Sequence, residues 1–331
     1  MKRTLRDRKR IAVVICNNGL GHLRRVSALL KEVLKKVQGG VFFDLYFDMG
    51  KKSFVDSTVF RSGRVSCIDV KCFEDADWPS LLKGYDLLWS DNHVFPFKYV
   101  EQGFLTGSFV WSEIDSTNIL NSEENAILRG KKLTMIGNRY FSTPKVRTKT
   151  CWVPVGMYPV HRRKEGSKGT GILLSCGQSI SGISHFDKHF PEINNVLLNM
   201  PEDVTLYVEP RYWRELPQDQ RIKKADFSEQ MYSSLIAAVI RPGMGTINDV
   251  LACGGRIFCF YEKNFEVRHN ARVLTNLGVG ESFPSVGQAL QGAFAYVSDQ
   301  YSQRKHANAV LKIDFDGVHQ TTKHILSLVN S

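Results

Sequence analysis

The chain has 331 residues, more than one hydrophobic core usually supports, so two domains are expected. Hydrophobic residues make up 43% of the chain and charged residues 23%, which excludes a disordered or fibrous protein. No apolar run is long enough to cross a bilayer, and the basic N-terminus lacks the apolar core of a signal peptide. We therefore predict a cytoplasmic protein.

The formal net charge of +11 predicts a polyanionic partner, which could be nucleic acid, anionic lipid or a phosphorylated small molecule. The excess is concentrated in residues 2–10 and 162–168, and neither cluster carries the interleaved aromatics of a surface for single-stranded nucleic acid. Solvated segments are the commoner explanation of such runs. The functional alternative is peripheral contact with an anionic membrane, and no nucleic-acid partner is expected.

The seven cysteines are scattered and odd in number, which indicates reduced thiols rather than a disulfide framework. Cys16, Cys176 and Cys259 lie in strand-like apolar runs, where we expect them to act as small hydrophobic side chains. No metal site and no cofactor are predicted.

The first informative stretch joins a predicted strand to a predicted helix. Residues 11–15 form a short β-branched run, and apolar residues then recur at helical spacing through residues 23–37. Between them, Gly19 and Gly21 let the backbone turn sharply and approach a ligand, and the helix start favours an anion. His22 lies at the mouth of that site. A tight turn with a capping histidine explains the loop equally well.

Apolar strands that alternate with helices predict a parallel sheet covered on both faces. Two of these strands end in polar residues, which places Asp91 and Glu113 at the carboxyl edge of the sheet, where ligands of such folds bind. After the first helix, the strands of this sheet are expected at residues 41–47, 65–68, 85–93, 108–113, 133–136 and 151–153.

Residues 161–171 are basic, contain glycine and lack an apolar period, which is typical of a linker. Beyond them the pattern restarts with a strand at residues 172–176 and a small-residue loop suited to a phosphate. The candidate phosphate contacts there are Ser175, Gly177, Gln178 and Ser179. Further strands are expected at residues 204–208, 238–240 and 257–260, and helices at 229–237, 247–253, 268–277 and 320–329.

Two segments of the second half carry a resemblance to a known family. Residues 241–249 read Arg-Pro-Gly-Met-Gly-Thr-Ile-Asn-Asp, and residues 266–271 read Glu-Val-Arg-His-Asn-Ala. They resemble the donor-binding region of GT-B glycosyltransferases, in particular the family 28 branch whose enzyme adds N-acetylglucosamine to lipid I. The resemblance implies that an Arg-x-Gly-x-x-Thr loop receives the diphosphate of a nucleotide sugar, and that an acid three residues later holds the ribose.

In this sequence the implied donor-binding residues are Arg241, Gly243, Met244, Gly245, Thr246 and Asp249, with Glu266 and Asn270 at the sugar and Phe227 near the base. The chemistry also makes sense locally, because the N–H groups of a helix start bind phosphate. A helix capped by Thr246 with Asp249 completing the cap is an equally good local explanation, although it gives Arg241 no role. Glu266 stands where related enzymes often have a glutamine, which leaves the sugar open.

The N-terminal Gly-x-Gly-His-x-x-Arg also resembles the UDP-sugar hydrolase of pseudaminic acid synthesis, a GT-B relative in which water replaces the acceptor alcohol. That hydrolase lacks a clear Arg-Pro-Gly in its second loop. Transfer is therefore favoured over hydrolysis.

We thus predict an α/β protein of the GT-B class, with two Rossmann-like parallel-sheet domains facing a cleft and a C-terminal helix packing back on the first. Residues 1–160 would form the acceptor-side domain, 161–171 the linker, 172–318 the nucleotide-sugar-binding domain and 319–331 the C-terminal helix.

The predicted activity is the inverting, metal-independent transfer of a sugar from a UDP-sugar to an unidentified acceptor. N-acetylglucosamine is the first candidate for the sugar. The acceptor is expected to be lipid- or glycan-linked, in cell-envelope polysaccharide synthesis. His22 would be the general base, because the pKa of imidazole lies near neutrality, and Asp91 and Glu113 are competing bases. The alternatives are a UDP-sugar hydrolase and a non-enzymatic nucleic-acid-binding protein.

Overall fold

The computed structural model describes residues 8–17, 20–37, 39–73, 75–108, 122–142, 151–163, 169–176, 189–260 and 265–331. The chain divides into two compact units. Unit 1 comprises Met1–Tyr158 together with Asp316–Ser331, and unit 2 comprises Pro159–Phe315.

Strands and helices follow one another in the order expected for an α/β protein. The strands are β1 (Lys9–Ile15), β2 (Val41–Phe47), β3 (Val65–Asp69), β4 (Leu87–Asp91), β5 (Gly103–Gly107), β6 (Thr134–Asn138), β7 (Cys151–Val155), β8 (Gly171–Ser175), β9 (Thr205–Val208), β10 (Ile222–Lys224), β11 (Leu235–Ile240), β12 (Arg256–Phe260) and β13 (Gly280–Phe283). The helices are α1 (Leu20–Lys36), α2 (Trp78–Leu81), α3 (Ser122–Gly130), α4 (Phe190–Leu197), α5 (Pro210–Trp213), α6 (Glu229–Ser234), α7 (Met244–Ala252), α8 (Phe265–Asn276), α9 (Val286–Ser298), α10 (Gln300–Val310) and α11 (Gly317–Asn330).

Unit 1 is built on a parallel sheet of seven described strands in the order β3-β2-β1-β4-β5-β6-β7. The strand order reverses between β1 and β4, and in such sheets the ligand binds beyond the carboxyl ends at that reversal. The register sets Ile15 beside Asp91 there. The predicted parallel sheet is confirmed, and its geometry brings the end of β4 next to the loop that precedes α1.

One face of this sheet is covered by α1 and by the C-terminal helix α11. The apolar stripe of α1, including Leu23, Val26 and Leu30, is buried against the sheet as its helical spacing predicted. Ile325 and Val329 of α11 belong to the same core. Burying each such side chain contributes about 1.5–3 kcal/mol, so α11 is an integral part of unit 1, and its predicted packing on the first domain is confirmed.

Unit 2 repeats the arrangement with a parallel sheet of six described strands in the order β10-β9-β8-β11-β12-β13. Its strand order reverses between β8 and β11, which places the loop after residue 175 beside the loop after residue 240. Two Rossmann-like sheets, each with its own reversal, confirm the predicted α/β fold class. No helix among the described residues is long and apolar enough to cross a membrane.

The sequence analysis missed strand β5, which spans Gly103–Gly107. Residues 109–113 of the strand expected at 108–113 lie outside the described residues, so that strand stays a prediction. Gly103 lies so close to its neighbour β4 that a Cβ would stand 2.3 Å from the Leu88 carbonyl oxygen, so this glycine belongs inside the sheet. Glu113 lies outside the described residues.

The helix expected at residues 229–237 is also shorter than predicted. It ends at Ser234, and the apolar run Leu235–Ile240 is strand β11, which pairs with β8 on one side and β12 on the other. A strand paired on both sides and covered on both faces is apolar throughout, so periodicity alone could not separate its first residues from the preceding helix.

Candidate functional site

His22 and Asp91 of unit 1 come together at the reversal of the sheet. α1 begins two residues before His22, and β4 ends at Asp91. Nδ1 of His22 lies 2.7 Å from Oδ2 of Asp91, whose side chain is fully buried. An ionised carboxylate can only accept hydrogen bonds. Nδ1 therefore carries the proton and donates the hydrogen bond to Asp91. The pair has the geometry of a histidine oriented by an acid.

Arg25 holds Asp91 in place from one turn further along α1. Its Nε lies 3.1 Å from Oδ1, and its Nη2 lies 2.8 Å from Oδ1 and 2.9 Å from Oδ2. Thr106 donates to the same Oδ1 at 3.1 Å and accepts from Trp89 Nε1 at 2.9 Å. Burial favours the neutral acid, but Arg25 and His22 outweigh it and lower the pKa of Asp91. Asp91, predicted as a competing base, is thus placed as the ionised partner of His22.

Cys16 adds a further group to this cluster. It follows β1 directly and is half-buried, and the imidazoles of His22 and His93 act on the pKa of its thiol. Burial raises the pKa of the thiol, but the two imidazoles outweigh burial and lower it to about 5. The prediction that Cys16 acts as a small hydrophobic side chain was wrong, because the residue lies past the strand end and faces polar groups.

The same contacts change the protonation of His22. Burial lowers the pKa of its imidazole, but the Cys16 thiolate and the Asp91 carboxylate together raise it to about 10. The pKa near neutrality on which the sequence analysis relied therefore does not apply to this histidine. The raised pKa favours the imidazolium form of His22 beside the Asp91 carboxylate.

The loop that resembles the donor site leaves hydrogen-bonding groups without partners. Helix α7 starts after Gly243, which has no side chain to cap the first N–H groups. Nε of Arg241 is buried and has no hydrogen-bond partner among the described residues, and the Arg241 N–H donates to the Ser175 carbonyl across the sheet at 3.2 Å. Thr246 lies inside the helix, so a Thr246 cap is wrong. Guanidinium and free N–H groups together suit a phosphate.

Asn270 of α8 contacts this loop as well. Its Nδ2 donates to the Pro242 carbonyl at 2.9 Å, while its Oδ1 is buried and meets no partner in the part of the chain that the structure describes; the residue is 1% exposed. Glu266 lies in the first turn of the same helix and is exposed. The contacts predicted between these two residues and a sugar stay predictions.

Asp249 has a structural task that the sequence did not reveal. Its carboxylate is 1% exposed, and Oδ1 accepts from the backbone N–H groups of Val160 at 2.7 Å and His161 at 3.1 Å. These bonds tie the first residues of unit 2 to the middle of α7. A ribose contact at Asp249 stays a prediction, and a substitution there would disturb the fold as well as any ligand.

Ser175 is also occupied by a protein partner. Its hydroxyl donates to Oε2 of Glu209 at 3.0 Å, and the Cys176 N–H donates to the same oxygen at 3.1 Å. Glu209 is 3% exposed and lies 2.7 Å from Arg211 Nε through its other oxygen. The sequence analysis missed Glu209, although an acid directly after the apolar run at 204–208 was a signal for the sheet edge. Gly177, Gln178 and Ser179 lie outside the described residues.

Phe227 has a strained backbone, with φ at +54°. It stands just before Ser228, which caps α6 through a bond to the Met231 N–H. The left-handed conformation costs a residue with a Cβ about 1–2 kcal/mol, and such strain concentrates at functional positions. Its predicted role at the nucleotide base stays a prediction.

Two further candidates complete the account. Gly21 lies in the first turn of α1, next to His22, and Gly19 lies outside the described residues.

Within the described ranges, no group of three or more His, Cys, Asp or Glu side chains is placed to hold a metal ion.

The sequence matches no protein-family model and no curated protein. Solved structures are similar over nearly the whole chain. The glycotransferase of kitacinnamycin has a TM-score of 0.65 at 14% identity, with 97% of this chain and 99% of that chain covered. A UDP-glucosyltransferase from Polygonum tinctorium, solved with 3,4-dichloroaniline, has 0.68 at 11% identity, covering 98% and 99%. The spinosyn rhamnosyltransferase complexed with thymidine diphosphate has 0.65 at 12% identity, covering 96% and 100%.

At such low identities these likenesses establish the fold and not the activity. They do not single out the family 28 branch, which stays a prediction. The strand order of each sheet, the polar clusters at both reversals and the similarity over both halves agree with one another. The protein has the GT-B fold.

Proposed function

We propose that the protein is a glycosyltransferase that moves a sugar from a nucleoside-diphosphate sugar to an acceptor. The observation that supports it most is the uncapped start of α7 beside Arg241, whose buried Nε lacks a partner. A diphosphate would supply the acceptors for these donors, and fixed N–H dipoles with a guanidinium would take the place of a metal ion.

In this proposal unit 2 stabilises the leaving group and unit 1 supplies the base. The acceptor oxygen forms a bond to the anomeric carbon as the bond to the diphosphate oxygen breaks, which inverts the configuration. His22 takes the acceptor proton on its second ring nitrogen, and Asp91 stabilises the imidazolium that forms. Only neutral His22 can do this, so its raised pKa makes turnover increase with pH well above neutrality.

The donor is proposed to be a UDP-sugar, with UDP-N-acetylglucosamine the first to test. Two similar structures are a UDP-glucosyltransferase and a rhamnosyltransferase complexed with thymidine diphosphate, so uridine and thymidine donors both belong in the test. The exposed Glu266 offers a carboxylate acceptor for sugar hydroxyls.

The test is thermal stability against UDP, dTDP, GDP and CMP without added metal. A ligand at about one hundred times its dissociation constant stabilises the folded state by about 2.7 kcal/mol. We expect UDP or dTDP to raise the melting temperature in the wild type and to raise it much less in Arg241→Ala. Arg304→Ala, on the exposed side of α10, is the matched control and should keep the shift. No shift with any nucleotide would contradict the proposal.

Hydrolysis by the same cluster is the second candidate. It is favoured by Arg25, the last residue of the motif shared with the hydrolase, because this side chain contacts Asp91 through three short N–O distances. Release of free sugar at the same rate with and without added acceptors would identify the hydrolase. Consumption of donor only when an acceptor is present would identify the transferase.

The acceptor is proposed to be lipid- or glycan-linked, in cell-envelope polysaccharide synthesis at the cytoplasmic membrane face. The basic residues of the 2–10 cluster and the net charge of +11 support attraction to anionic lipid. Neutralising that cluster should reduce activity on acceptors held in anionic vesicles and leave activity on free acceptors unchanged. Equal activity on both would count against the membrane contact.

A further inference from the structure

Four buried polar atoms without partners lie at one edge of the sheet of unit 1. They are Asn92 Oδ1 and His93 Nε2 just after β4, Ser108 Oγ just after β5 and Asn138 Nδ2 at the end of β6, and none has a hydrogen-bond partner within the described ranges. Buried polar groups of folded proteins are nearly always paired, and an unpaired one costs folding free energy. A group of four at the ligand-binding edge of a parallel sheet therefore points to a ligand.

The register of the strands brings these residues together. The last paired positions of β5 and β6 directly precede Ser108 and Asn138, so these two residues are neighbours on adjacent strands, which lie about 4.8 Å apart. On the other side, the Asn92 N–H donates to the Thr106 carbonyl at 3.0 Å and holds the end of β4 against β5. Asn138 shares a face of the sheet with Ile136, which packs in the core beneath α1.

The amide of Asn138 is fixed by the turn that follows β6. Its Oδ1 accepts from the backbone N–H groups of Tyr140 at 2.9 Å and Phe141 at 3.2 Å, and the residue is 0% exposed. Only an oxygen can accept these bonds, so the orientation of the amide is settled by them. The Nδ2 donor is thereby turned away from its own loop and left unpaired.

The end of β4 is held with similar care. Asn92 has a left-handed backbone with φ at +65°, and such strain at a residue with a Cβ concentrates at functional sites. Ser90 donates to the His93 carbonyl at 2.7 Å, and the His93 ring packs edge-on against Phe73 with ring centroids 4.8 Å apart. Asn92, His93 and Ser108 are half-buried, so this group of residues reaches the surface of unit 1.

The kinds of atom at this edge indicate the chemistry of the ligand. Asn138 Nδ2 can only donate and Asn92 Oδ1 can only accept, whereas Ser108 Oγ does both and His93 Nε2 does either, according to its tautomer. Sugar hydroxyls donate and accept as well, and several stand side by side on one ring. An apolar ligand would leave all four atoms unpaired, and a phosphate would meet the Asn92 oxygen, which repels it.

We propose that Asn92, His93, Ser108 and Asn138 form a binding site for a hydroxyl-rich ligand, a sugar or glycan, and we call it the edge site. It adjoins the carboxylate that orients His22. Asp91 directly precedes Asn92, and Thr106, which donates to Asp91 at 3.1 Å, stands two residues before Ser108.

A role in transfer rests on the proposed function, whereas sugar binding does not. In transfer, the bound glycan is the acceptor, and the edge site holds it with one hydroxyl within reach of His22. The acceptor class is then a sugar and not an apolar molecule.

Sugar binding is tested on the full chain without donor, by saturation-transfer NMR titration. The probes are glucose, N-acetylglucosamine, cellobiose and maltose, with 2-naphthol as the apolar competitor. At least one sugar should bind in the millimolar range, and 2-naphthol should not displace it. Binding of none of these sugars, or displacement by 2-naphthol, would overturn the proposal.

Two variants assign the binding to the edge site. Ser108→Ala removes a hydroxyl that no described group binds, so the variant should fold, and sugar affinity should fall about fivefold to tenfold for one lost hydrogen bond. Asn138→Asp keeps an oxygen for the turn but replaces the donor, and should lower affinity at least as much. Ser57→Ala and Asn199→Asp, at exposed positions, are the matched controls. Wild-type affinity in both edge-site variants would overturn the assignment.

Turnover gives a second readout, with a UDP-sugar donor and the sugar that binds. Ser108→Ala should raise the acceptor KM by the same factor as it weakens binding, and leave kcat and the donor KM nearly unchanged. A lowered kcat with an unchanged acceptor KM would overturn the acceptor role. Sugar binding that the variants weaken, in a protein that shows no nucleotide-induced thermal shift, would contradict the proposed function and leave the edge site standing.

Discussion

The two sheet reversals present opposite kinds of polar cluster. In unit 1, the carboxylate of Asp91 is saturated by Arg25, His22 and Thr106, and each charge has an opposite charge beside it. In unit 2, no described side chain caps the helix start after Gly243, and the Arg241 Nε has no partner within the described ranges. The first cluster is preorganised and needs no ligand to complete it. The second is short of acceptors, so an anion would complete it.

The largest effect is expected from breaking the saturated cluster with Asp91→Asn. The substitution leaves Arg25 buried without its ion-pair partner, which costs about 3–5 kcal/mol of folding free energy. By analogy with acid-oriented histidines, it should lower turnover about 10³–10⁴-fold. Denaturant unfolding and turnover measure the two losses. Asp75→Asn, at an exposed position, should change neither, and a fully active Asp91→Asn would refute the proposed role of the pair.

A second comparison is between two histidines whose pKa values are shifted in opposite directions. His22 has its pKa raised, whereas burial, assisted by Arg256, lowers the pKa of His306 in unit 2 to about 4. The unfolded chain takes up a proton on this histidine near pH 6.5, while the folded chain resists until about pH 4. Stability therefore falls as pH drops through that window, by up to about 3 kcal/mol.

His306→Leu removes this titration and tests it. Melting temperature measured from pH 7 to 4 should fall less steeply in the variant than in the wild type. The control His319→Leu, at an exposed position, should retain the wild-type slope. Identical slopes in wild type and His306→Leu would show that another group carries the acid sensitivity.

Arg241→Ala tests the second cluster, in unit 2. Its Nε makes no hydrogen bond in the free protein, so the substitution should change unfolding free energy by less than about 1 kcal/mol. Loss of a charge-assisted bond to a phosphate should weaken nucleotide binding by about 1.5–3 kcal/mol, or roughly tenfold to more than a hundredfold. Calorimetric titration with UDP and dTDP gives the comparison. Unchanged affinity would place the phosphate elsewhere.

The smallest expected effect is a shift of a pH profile. Cys16→Ser removes the thiolate that helps to raise the pKa of His22, so the rising limb of turnover against pH should move towards neutrality. The maximum rate at high pH should change little, because the Ser variant keeps the His22–Asp91 bond. If turnover rises at the same pH in the variant as in the wild type, Asp91 alone sets the pKa of His22.

The sequence was most informative where one physical rule acts alone. Apolar spacing predicted α1, and polar residues at strand ends predicted that His22 and Asp91 would meet, because carboxyl ends of parallel strands share one edge. It could not show that Asp249 binds the backbone of residues 160–161, since that contact joins segments nearly ninety residues apart. The influence of His93 on Cys16 was hidden for the same reason, because these two residues are also far apart in the chain.

Errors at element boundaries had local causes. β5 is a five-residue strand bounded by glycines, and its composition indicates a turn unless the close approach of β4 is known. The helix predicted before β11 was too long because the apolar residues 235–237, which begin the strand, also fit a helix. At the candidate donor site, the sequence predicted a loop between β11 and α7, but α7 begins at Met244, before the predicted start at residue 247. That its first turn has no side-chain cap is a property of the folded backbone.

Unit 1 is discontinuous in the chain, because α11 follows the whole of unit 2 and yet contributes Ile325 and Val329 to the core that α1 and β1 begin. During synthesis, unit 2 is complete on emergence and can fold while unit 1 still lacks a wall of its core. Unit 2 would thus exist as a folded body before the core beneath α1 can close. In the nascent chain, unit 1 can complete its core only after α11 has emerged.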